Sequence, residues 1–217
     1  MRNYLKYILY LILWTQFSLA QAGSYEDFFS AIRRDDAASL QALIQRGFDP
    51  NTPHESGVAA LHWALQSESY KAANALAQAP GLATDKDNEH GETPLMMAVL
   101  KGQKAIAATL LARGARVNKT GWAPLHYAAS GPDTEVVGML IARQADLEAR
   151  SPNGTTPLMM AAGYGPESSV DMLLGAKAQA AAKNDLGLTA ADFARRAGRD
   201  ALALRLEAIS KSASVPR

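Results

Sequence analysis

The chain of 217 residues contains no cysteine. This absence excludes disulfides, thiolate nucleophiles and cysteine-ligated zinc or iron–sulfur sites. It also suits an oxidising compartment, where a free thiol would be a liability. Aromatic residues are scarce as well, at 7%, and Ala and Leu dominate the 48% hydrophobic content. Since Ala and Leu are strong helix formers, the composition predicts a helical protein.

The chain also lacks an excess of positive or negative charge. The 22 Lys and Arg residues nearly balance the 21 Asp and Glu residues, which gives a formal net charge of +1. A protein this close to neutral has no general electrostatic attraction for nucleic acid. We therefore expect no nucleic-acid partner.

Long apolar runs are missing except at the N-terminus. Arg2 and Lys6 precede an apolar stretch at 7–14, and Ala-Gln-Ala at 20–22 has the small-x-small pattern of a cleavage site. This layout predicts a secretory signal peptide over 1–22, with a cut after Ala20 as the alternative. The apolar stretch is shorter than the ~20 residues of a spanning helix. We expect export to the periplasm, or secretion, and no membrane contact after cleavage.

A segment of about 33 residues recurs along the chain. Thr-Pro-Leu occurs at 93–95 and 156–158, Ala-Pro-Leu at 123–125, and degenerate copies at 59–61 and 189–191. A glycine stands two residues before each copy. The third positions follow one another at intervals of 34, 30, 33 and 33 residues. This periodicity indicates a repeat protein in which each repeat is one supersecondary unit.

Each repeat has the pattern of two helices. Thr can cap a first helix, and Pro fits the first helical position because the N–H that it lacks has no partner there. A second stretch carries apolar residues at helical spacing, as at 106, 110 and 111. The repeat therefore predicts a helix pair that follows a glycine-containing turn.

Two stretches of sequence carry a family resemblance. Residues 121–129 read Gly-Trp-Ala-Pro-Leu-His-Tyr-Ala-Ala, and residues 110–115 read Leu-Leu-Ala-Arg-Gly-Ala. They resemble the ankyrin repeat, whose signature is Gly-x-Thr-Pro-Leu-His-x-Ala-Ala followed by Leu-Leu-x-x-Gly-Ala. The resemblance covers about 25 to 208. It implies an all-α repeat solenoid, an ankyrin-repeat stack of helix pairs with short β-finger turns.

The repeat register predicts the domain organisation. An ankyrin-repeat domain at 23–208 follows the signal peptide, and a flexible tail at 209–217 ends the chain. Within the domain, an N-terminal cap at 25–53 precedes repeats at 54–86, 87–118, 119–148 and 149–180, and a C-terminal cap covers 181–208. Polar, degenerate end repeats are expected because each end lacks a neighbour. Arg195, Arg196 and Arg199 are expected on the solvent face of the last cap.

One finger departs from the pattern. Gly114 and Gly121 are seven residues apart, whereas Gly47 and Gly57, or Gly81 and Gly91, are ten apart. Three residues are therefore missing from the turn between the third and fourth units. We expect a shortened finger there and a local change in the shape of the binding surface.

The sequence shows no catalytic, cofactor or metal site. His62 and His126 stand at the histidine position of the repeat, where the ring is expected to bond backbone of an adjacent turn. His54 and His90 lie in fingers and are expected to be exposed. No histidine pair has the spacing of a zinc site, and no phosphate loop or nucleophile elbow is present. These absences favour a protein that is not an enzyme.

The resemblance implies a partner protein on a concave face made by finger tips and inner helices. In the family, contacts come from residues beside the finger glycine and at the end of the inner helix. Carried to this sequence, these positions are Glu55, Ser56, Val58, Gln66, Ser67, Glu89, His90, Glu92, Leu100, Lys101, Lys119, Thr120, Trp122, Ser130, Asn153, Thr155, Gly163 and Tyr164. We select as partner-binding residues Trp122, Tyr164, His90, Glu92, Lys101, Lys119, Asn153, Glu55 and Gln66.

Trp122 and Tyr164 stand out among these positions because binding energy concentrates in aromatic residues. Trp122 lies on the shortened finger, and two interpretations are open for it. It is either an anchor for the partner or a filler of the space left by the missing residues. Tyr127, Met97 and Met160 follow the histidine position and are expected to pack between repeats.

The resemblance to exported bacterial ankyrin proteins implies a monomeric periplasmic binding module, for example an accessory to a periplasmic enzyme such as a catalase. The alternatives are an immunity protein that neutralises a toxin delivered to the periplasm, and an exported effector. A purely structural scaffold is a further class. The identity of the neighbouring gene, catalase or toxin, would distinguish the first two.

Overall fold

The computed structural model describes residues 23–213, so the predicted signal peptide at 1–22 and residues 214–217 lie outside the described residues. The chain divides into two compact units, Met1–Leu82 and Ala83–Arg217. Both units include part of the ankyrin-repeat domain predicted at 23–208. Within 23–213 there are twelve α-helices and no strands, as expected for an all-α repeat solenoid.

Within its described residues, 23–82, the first unit contains four helices. They are α1 (23–33), α2 (Ala37–Gln45), α3 (Ala60–Gln66) and α4 (Tyr70–Gln78). Helices α2 and α3 both pack on α4, around buried Leu40, Leu65 and Leu76. The first helix pair has no Thr-Pro-Leu turn, as predicted for the N-terminal cap.

His54 in the first unit differs from the sequence expectation. Its ring stacks on Trp63, with ring centroids 4.6 Å apart and an interplanar angle of 11°. Phe29 packs edge-on against the same imidazole at 5.1 Å. His54 is therefore half-buried rather than exposed, because the aromatic side chains of α1 and α3 cover it.

The second unit contains four helix pairs. The helices are α5 (Pro94–Leu100), α6 (Lys104–Ala112), α7 (Pro124–Ser130), α8 (Thr134–Ile141), α9 (Pro157–Tyr164), α10 (Glu167–Gly175), α11 (Ala190–Arg196) and α12 (Asp200–Ala213). The inner helices α5, α7, α9 and α11 pack side by side in that order. The outer helices α6, α8 and α10 form a second row, and α12 packs on α11.

The inner helices begin in the way that the repeated triplet predicts. Thr93, Thr156 and Thr189 each accept a hydrogen bond from the amide three residues later. Proline occupies the first position of α5, α7 and α9. Both features satisfy or remove amide groups that a helix start leaves without partners.

Consecutive repeats are joined by hydrogen bonds from side chain to backbone. The amide of Arg116 donates to Asp85 at 2.8 Å, and the amide of Gln179 donates to Glu148 at 2.7 Å. Each pair joins the segment that follows one outer helix to the segment that follows the next. These bonds fix the register between neighbouring repeats.

Two outer helices end at a residue in the left-handed conformation that is not glycine. Gly114 follows α6 with φ +86°, whereas Gln144 and Lys177 occupy the same place after α8 and α10 with φ 62° and 79°. The amides of the following residues, Ala145 and Ala178, reach back to the helix carbonyls at 3.0 Å. The helix-ending motif is therefore kept even where the sequence lacks the glycine that favours it.

The C-terminal segment differs from the prediction in two ways. Helix α12 continues to Ala213, so the flexible tail predicted at 209–217 is wrong for 209–213. The apolar stripe of Leu202 and Leu206 extends to half-buried Ile209, which keeps the helix intact at this point.

Arg199 does not lie on the solvent face. Its Nη1 donates to the carbonyl oxygens of Ala161, Ala162 and Gly165, at 2.8 to 3.2 Å. The guanidinium thus satisfies the carbonyl end of α9, and 22% of the side chain is exposed. Its neighbours Arg195 and Arg196 are exposed, as predicted.

No helix between residues 23 and 213 combines the length and the hydrophobicity that a membrane crossing requires.

Candidate protein-binding site

Three of the fingers in the second unit have the same closed turn. The amides of Asn88, Ser151 and Asn184 each donate to the carbonyl oxygen four residues later, at 2.9 to 3.0 Å. The glycine amide of each turn donates back to the carbonyl of that first residue. Such a finger therefore satisfies most of its own backbone groups.

The finger at 118–122 is open instead. Asn118 holds the place of Asn88 and Asn184, but its Oδ1 accepts from the amide of Asp146 at 2.8 Å and its Nδ2 donates to the carbonyl of Gln144. In the described part of the chain, the four amides of residues 119–122 make no hydrogen bond. The shortening predicted from the glycine spacing thus leaves a run of backbone donors without partners.

Lys119 crosses to the preceding finger. Its Nζ lies 2.6 Å from Oδ2 of Asp87 and also donates to the carbonyl of Gly91. Only 19% of its side chain is exposed. The ammonium group therefore stabilises the neighbouring turn and is not displayed to solvent.

An apolar groove lies beside the open finger. Its volume is about 190 Å³, and its lining residues are Leu100, Trp122, His126, Tyr127, Ser130 and Met160. Leu100 ends α5, Ser130 ends α7, and Tyr127 and Met160 occupy the fourth positions of α7 and α9. The groove thus crosses three adjacent inner helices, with the short side chain of Ser130 leaving room at its centre.

Trp122 forms one wall of the groove. Its ring packs edge-on against His126 and Tyr127, with ring centroids 5.3 Å and 6.2 Å apart, and the residue is half-buried. Part of the indole therefore serves packing, as the filler interpretation predicts. The remainder faces the groove, as an anchor requires, so the two interpretations describe different parts of one side chain.

The two hydroxyl groups that line the groove donate hydrogen bonds within the protein. The Tyr127 hydroxyl donates to Oε1 of Glu92 at 2.9 Å, and burial, followed by this hydrogen bond, raises the pKa of Tyr127. The Ser130 hydroxyl lies 3.2 Å from the carbonyl oxygens of His126 and Tyr127. Both hydroxyl protons are therefore used within the protein.

His126 fixes the floor of the groove. Its Nδ1 accepts from the amide of Ala123 at 3.1 Å, and its Nε2 donates to the carbonyl of Thr155 at 2.9 Å. These bonds confirm the role predicted for His126. Burial lowers the pKa of His126, against the raising effect of its backbone hydrogen bonds, so the ring is neutral.

A polar notch of about 530 Å³ lies on the other side of the open finger. It is lined by Asn118, Lys119, Thr120, Gly121, Asp146, Glu148, Ala149 and Arg150. Burial raises the pKa of the Glu148 carboxyl, although its hydrogen bond to the amide of Gln179 opposes the shift. The missing finger residues therefore leave open space on both sides of 119–122.

The structure distributes the other predicted binding residues unevenly. Tyr164, at the end of α9, is 69% exposed, and His90 and Asn153 lie exposed on neighbouring fingers. Glu92 and Lys101 are half-buried, and Glu92 is bonded to Tyr127. Of the nine selected residues, Trp122 alone lines the groove within the described residues.

Glu55 and Gln66 belong to the first unit. Both side chains are exposed, Glu55 on a finger and Gln66 at the end of α3. Neither residue lines the groove, whose lining residues all belong to the second unit.

Sequence reasoning missed two groove residues. Tyr127 and Met160 were expected to pack between repeats, but both are half-buried and line the groove. The available signal was the seventh position of the inner helices, where Ser130 and Gly163 are small. Small residues at that position leave the side chains one turn earlier uncovered.

No metal centre accounts for the site. In the portion that the structure describes, no group of three or more His, Asp or Glu side chains is placed to hold an ion.

Comparison with known proteins identifies the family. Residues 28–121, 81–151 and 116–185 each match the family described as ankyrin repeats (3 copies). The chain belongs to the ankyrin-repeat family. Ankyrin repeats generally mediate protein–protein interaction and are typically modules without enzymatic activity.

Several animal proteins resemble this chain over part of their length. The chain is 29% identical over 181 residues to tyrosine-protein kinase Shark of Drosophila melanogaster, 28% over 196 residues to protein glp-1 of Caenorhabditis elegans, and 33% over 160 residues to transient receptor potential cation channel subfamily A member 1 of Homo sapiens. The matches cover 81%, 83% and 69% of this chain but only 19%, 15% and 14% of the relatives. The chain therefore spans no more than 19% of the length of these relatives.

Proposed function

We propose that this ankyrin-repeat chain binds a partner protein through the groove around Trp122, and that it does so without catalysing a reaction. The observation that carries this proposal is an apolar groove on three inner helices, with Leu100 41% exposed at its edge. Exposed apolar surface of this kind marks interaction sites. An aromatic side chain in its wall suits an interface hot spot.

We also propose that the protein works in the bacterial periplasm as a monomer. The support is the signal-peptide pattern at 1–22 and the absence of cysteine from the chain. An accessory role for a periplasmic enzyme such as a catalase is the first form of this proposal. Neutralisation of a periplasm-delivered toxin, and action as an exported effector, are the other forms.

A pull-down with the full-length protein tests the groove. Periplasmic extract of the producing bacterium is passed over wild type, a Trp122→Ala variant and a Leu204→Ala variant, and bound proteins are identified by mass spectrometry. Leu204 is 65% exposed on α12 and does not line the groove, so its variant is the matched control. Circular dichroism checks that each variant is folded.

We expect one protein to be retained by wild type and by Leu204→Ala and lost from Trp122→Ala. Its affinity should then be measured with both purified proteins. Equal retention by all three forms would show that the groove is not the binding site. If nothing is retained by any form, the accessory role in the periplasm is wrong and a foreign toxin becomes the better candidate.

A further inference from the structure

Of the asparagines in the chain, only Asn153 stands directly before a glycine. This pair, Asn153 and Gly154, belongs to the closed finger at 151–155, and Asn153 is exposed. The other six asparagines precede residues that carry a side chain. Because glycine has no Cβ, its main-chain nitrogen can attack the preceding side chain without steric hindrance. Asn153 is therefore the asparagine at which this attack is least hindered.

The fold requires the glycine of this pair. Gly154 has φ +73°, and a Cβ at this position would lie 2.5 Å from Oδ1 of Asp185 and 3.1 Å from its main-chain nitrogen. Both the conformation and the close approach exclude a side chain. The packing of this finger against the C-terminal cap thus imposes the residue that makes Asn153 reactive.

The first residue of this finger differs from that of the other two closed fingers. These begin with Asn88 and Asn184, and the Oδ1 of each accepts two main-chain amides of its own turn. Ser151 stands in their place with a shorter side chain. Its Oγ accepts from the amide of Thr155 at 3.0 Å and donates to Oδ1 of Asn153 at 2.6 Å. Asn153 therefore takes part in closing the turn.

Both groups that would react are hydrogen-bonded to Ser151. The main-chain amide of Gly154 donates to the Ser151 carbonyl at 2.8 Å, and the side-chain carbonyl of Asn153 accepts from the Ser151 hydroxyl. Ser151 is itself buried, with 4% of its surface exposed. The finger therefore has to open locally before the nitrogen of Gly154 is free to attack, and local opening of this kind costs free energy.

The reaction consumes only water. The nitrogen of Gly154 bonds to Cγ of Asn153, and the bond between Cγ and Nδ2 breaks. The amide hydrogen of Gly154 leaves with Nδ2 as ammonia, and the product is a succinimide ring. Water then adds to one of the two ring carbonyls and gives aspartate or isoaspartate at position 153.

We propose that Asn153 is a site of spontaneous deamidation, and that the hydrogen bonds of Ser151 keep it unreacted while the finger is closed. Ser151 is a positioning residue in this scheme, since it acts through Asn153 and Gly154. The inference goes beyond the proposed function because the reaction requires no partner protein.

The reaction disconnects this finger from the C-terminal cap. The carbonyl oxygen of Asn153 accepts from the amide of Asp185 at 3.1 Å, and the amide of Ser151 donates to the carbonyl of Thr155 at 3.0 Å. Isoaspartate adds one carbon to the main chain between Ser151 and Thr155, so the turn no longer closes on the same partners. A finger that has opened and reacted therefore stays open.

Mass spectrometry of the purified full-length protein tests the site. The protein is incubated at neutral pH, folded or in guanidinium chloride, and then digested briefly with trypsin at mildly acidic pH, where deamidation is slow. The tryptic peptide 151–177 contains Asn153 as its only asparagine and has no glutamine, so a gain of one mass unit reports this residue. We expect deamidation to be at least tenfold slower in the folded protein. Asn153→Gln is the negative control.

Ser151→Ala tests the protective bonds, with Ser169→Ala as the matched control. Ser169 is also buried but lies on α10, outside the finger. In the folded state we expect Ser151→Ala to deamidate at least threefold faster than wild type, and Ser169→Ala to react at the wild-type rate. In guanidinium chloride all three should react at one rate. Circular dichroism checks that each variant is folded.

Hydrogen exchange measured by NMR examines the consequence for the finger. The amide of Asp185 should be protected in fresh protein and should exchange at least tenfold faster in the deamidated fraction, because its acceptor is displaced. The amide of Gln179, which donates to Glu148, should stay protected in both and serves as the internal control. Unchanged protection of Asp185 would show that the reacted finger still closes, contrary to the proposed disconnection.

Two results for wild type would overturn the proposal. They are equal rates in the folded and unfolded protein, and no gain in mass of the peptide 151–177 in denaturant. A folded Ser151→Ala variant that reacts at the wild-type rate, or more slowly, would also overturn it, since the hydroxyl would then not protect Asn153. If that variant does not fold, the ratio of the two wild-type rates decides.

Discussion

His126 and Thr155 belong to consecutive repeats, and the imidazole Nε2 of the first donates to the carbonyl oxygen of the second over 2.9 Å. The other ring nitrogen accepts from the amide of Ala123. Because one nitrogen must accept and the other donate, these bonds require the neutral ring. The contact between repeats is therefore sensitive to protonation.

This contact predicts a pH dependence of stability. Burial lowers the pKa of His126 in the folded protein, whereas histidine in an unfolded chain titrates near ~6.5. The unfolded state therefore takes up the proton first, and the free energy of unfolding should decrease as pH falls below about 6.5. Above that pH the contribution of His126 should be constant. Urea denaturation between pH 5 and pH 8 measures it.

A His126→Met variant should remove this part of the pH dependence. Met96 and Met159 occupy the equivalent position, and each accepts the corresponding amide with its sulfur, so the substitution follows the repeat. At pH 7.5 the loss of the bond to Thr155 should cost about 1 kcal/mol. Exposed His90→Gln is the control and should keep the wild-type dependence. An unchanged slope in His126→Met would contradict the prediction.

A single methyl group added at Gly165 should have a large effect on the stability of the protein. A Cβ at this position would lie 2.0 Å from the carbonyl oxygen of Ala129 on α7, so α9 could not keep its distance from the neighbouring repeat. We expect Gly165→Ala to destabilise the protein by about 3 kcal/mol or more. Gly175→Ala is matched to it, since no atom lies within 4 Å of its Cβ, and thermal unfolding should show no loss of stability because Ala is the better helix former.

Gln144 offers a stabilising substitution. Its φ of 62° is in the region that favours glycine, and Gly114 holds the equivalent place after α6. Gln144→Gly should raise the free energy of unfolding by up to about 1 kcal/mol, because it relieves the contact of Cβ with the backbone. Gln144→Ala keeps Cβ and should give no gain. Urea denaturation of both variants distinguishes the relief of the Cβ contact from the loss of the rest of the Gln144 side chain.

Arg199 should contribute more to stability than its exposed neighbours. It donates to three carbonyl oxygens at the end of α9, and Arg199→Ala leaves those groups without their partner. We expect a loss of about 2–3 kcal/mol, as is typical of hydrogen bonds to a charged group. Arg196→Ala, on the exposed surface of α11, should change the melting temperature by less than the experimental scatter.

The parts of the fold that follow from local chemistry could be predicted from the sequence. Thr93 and Thr156 each stand directly before a Pro at the first helical position. Their side chains can therefore accept the amide three residues later and cap the helix. The short finger followed from the spacing of Gly114 and Gly121. The helical state of 209–213 was missed although Ile209 continues the apolar stripe of Leu202 and Leu206.

The site was harder to predict. Lys119 and Glu92 occupy variable positions of the family and were selected for that reason, yet both bind other residues of the chain. Their partners lie about 30 residues away in sequence, and only the stacking of repeats brings them together. Tyr127 lines the groove because Ser130, one turn later on the same helix, is small. Comparing one position at a time with the family pattern does not reveal such an effect of one side chain on the exposure of another.

The bonds that fix the register between repeats also bear on how the second unit folds. Arg116 reaches back 31 residues to Asp85, and Gln179 reaches back 31 residues to Glu148. Contacts of such limited sequence separation correspond to a low contact order, for which fast folding is expected. Folding can begin at any adjacent pair of repeats and spread to the next. A duplication or deletion of one whole repeat would then add or remove one step of this spread without introducing contacts of longer sequence separation.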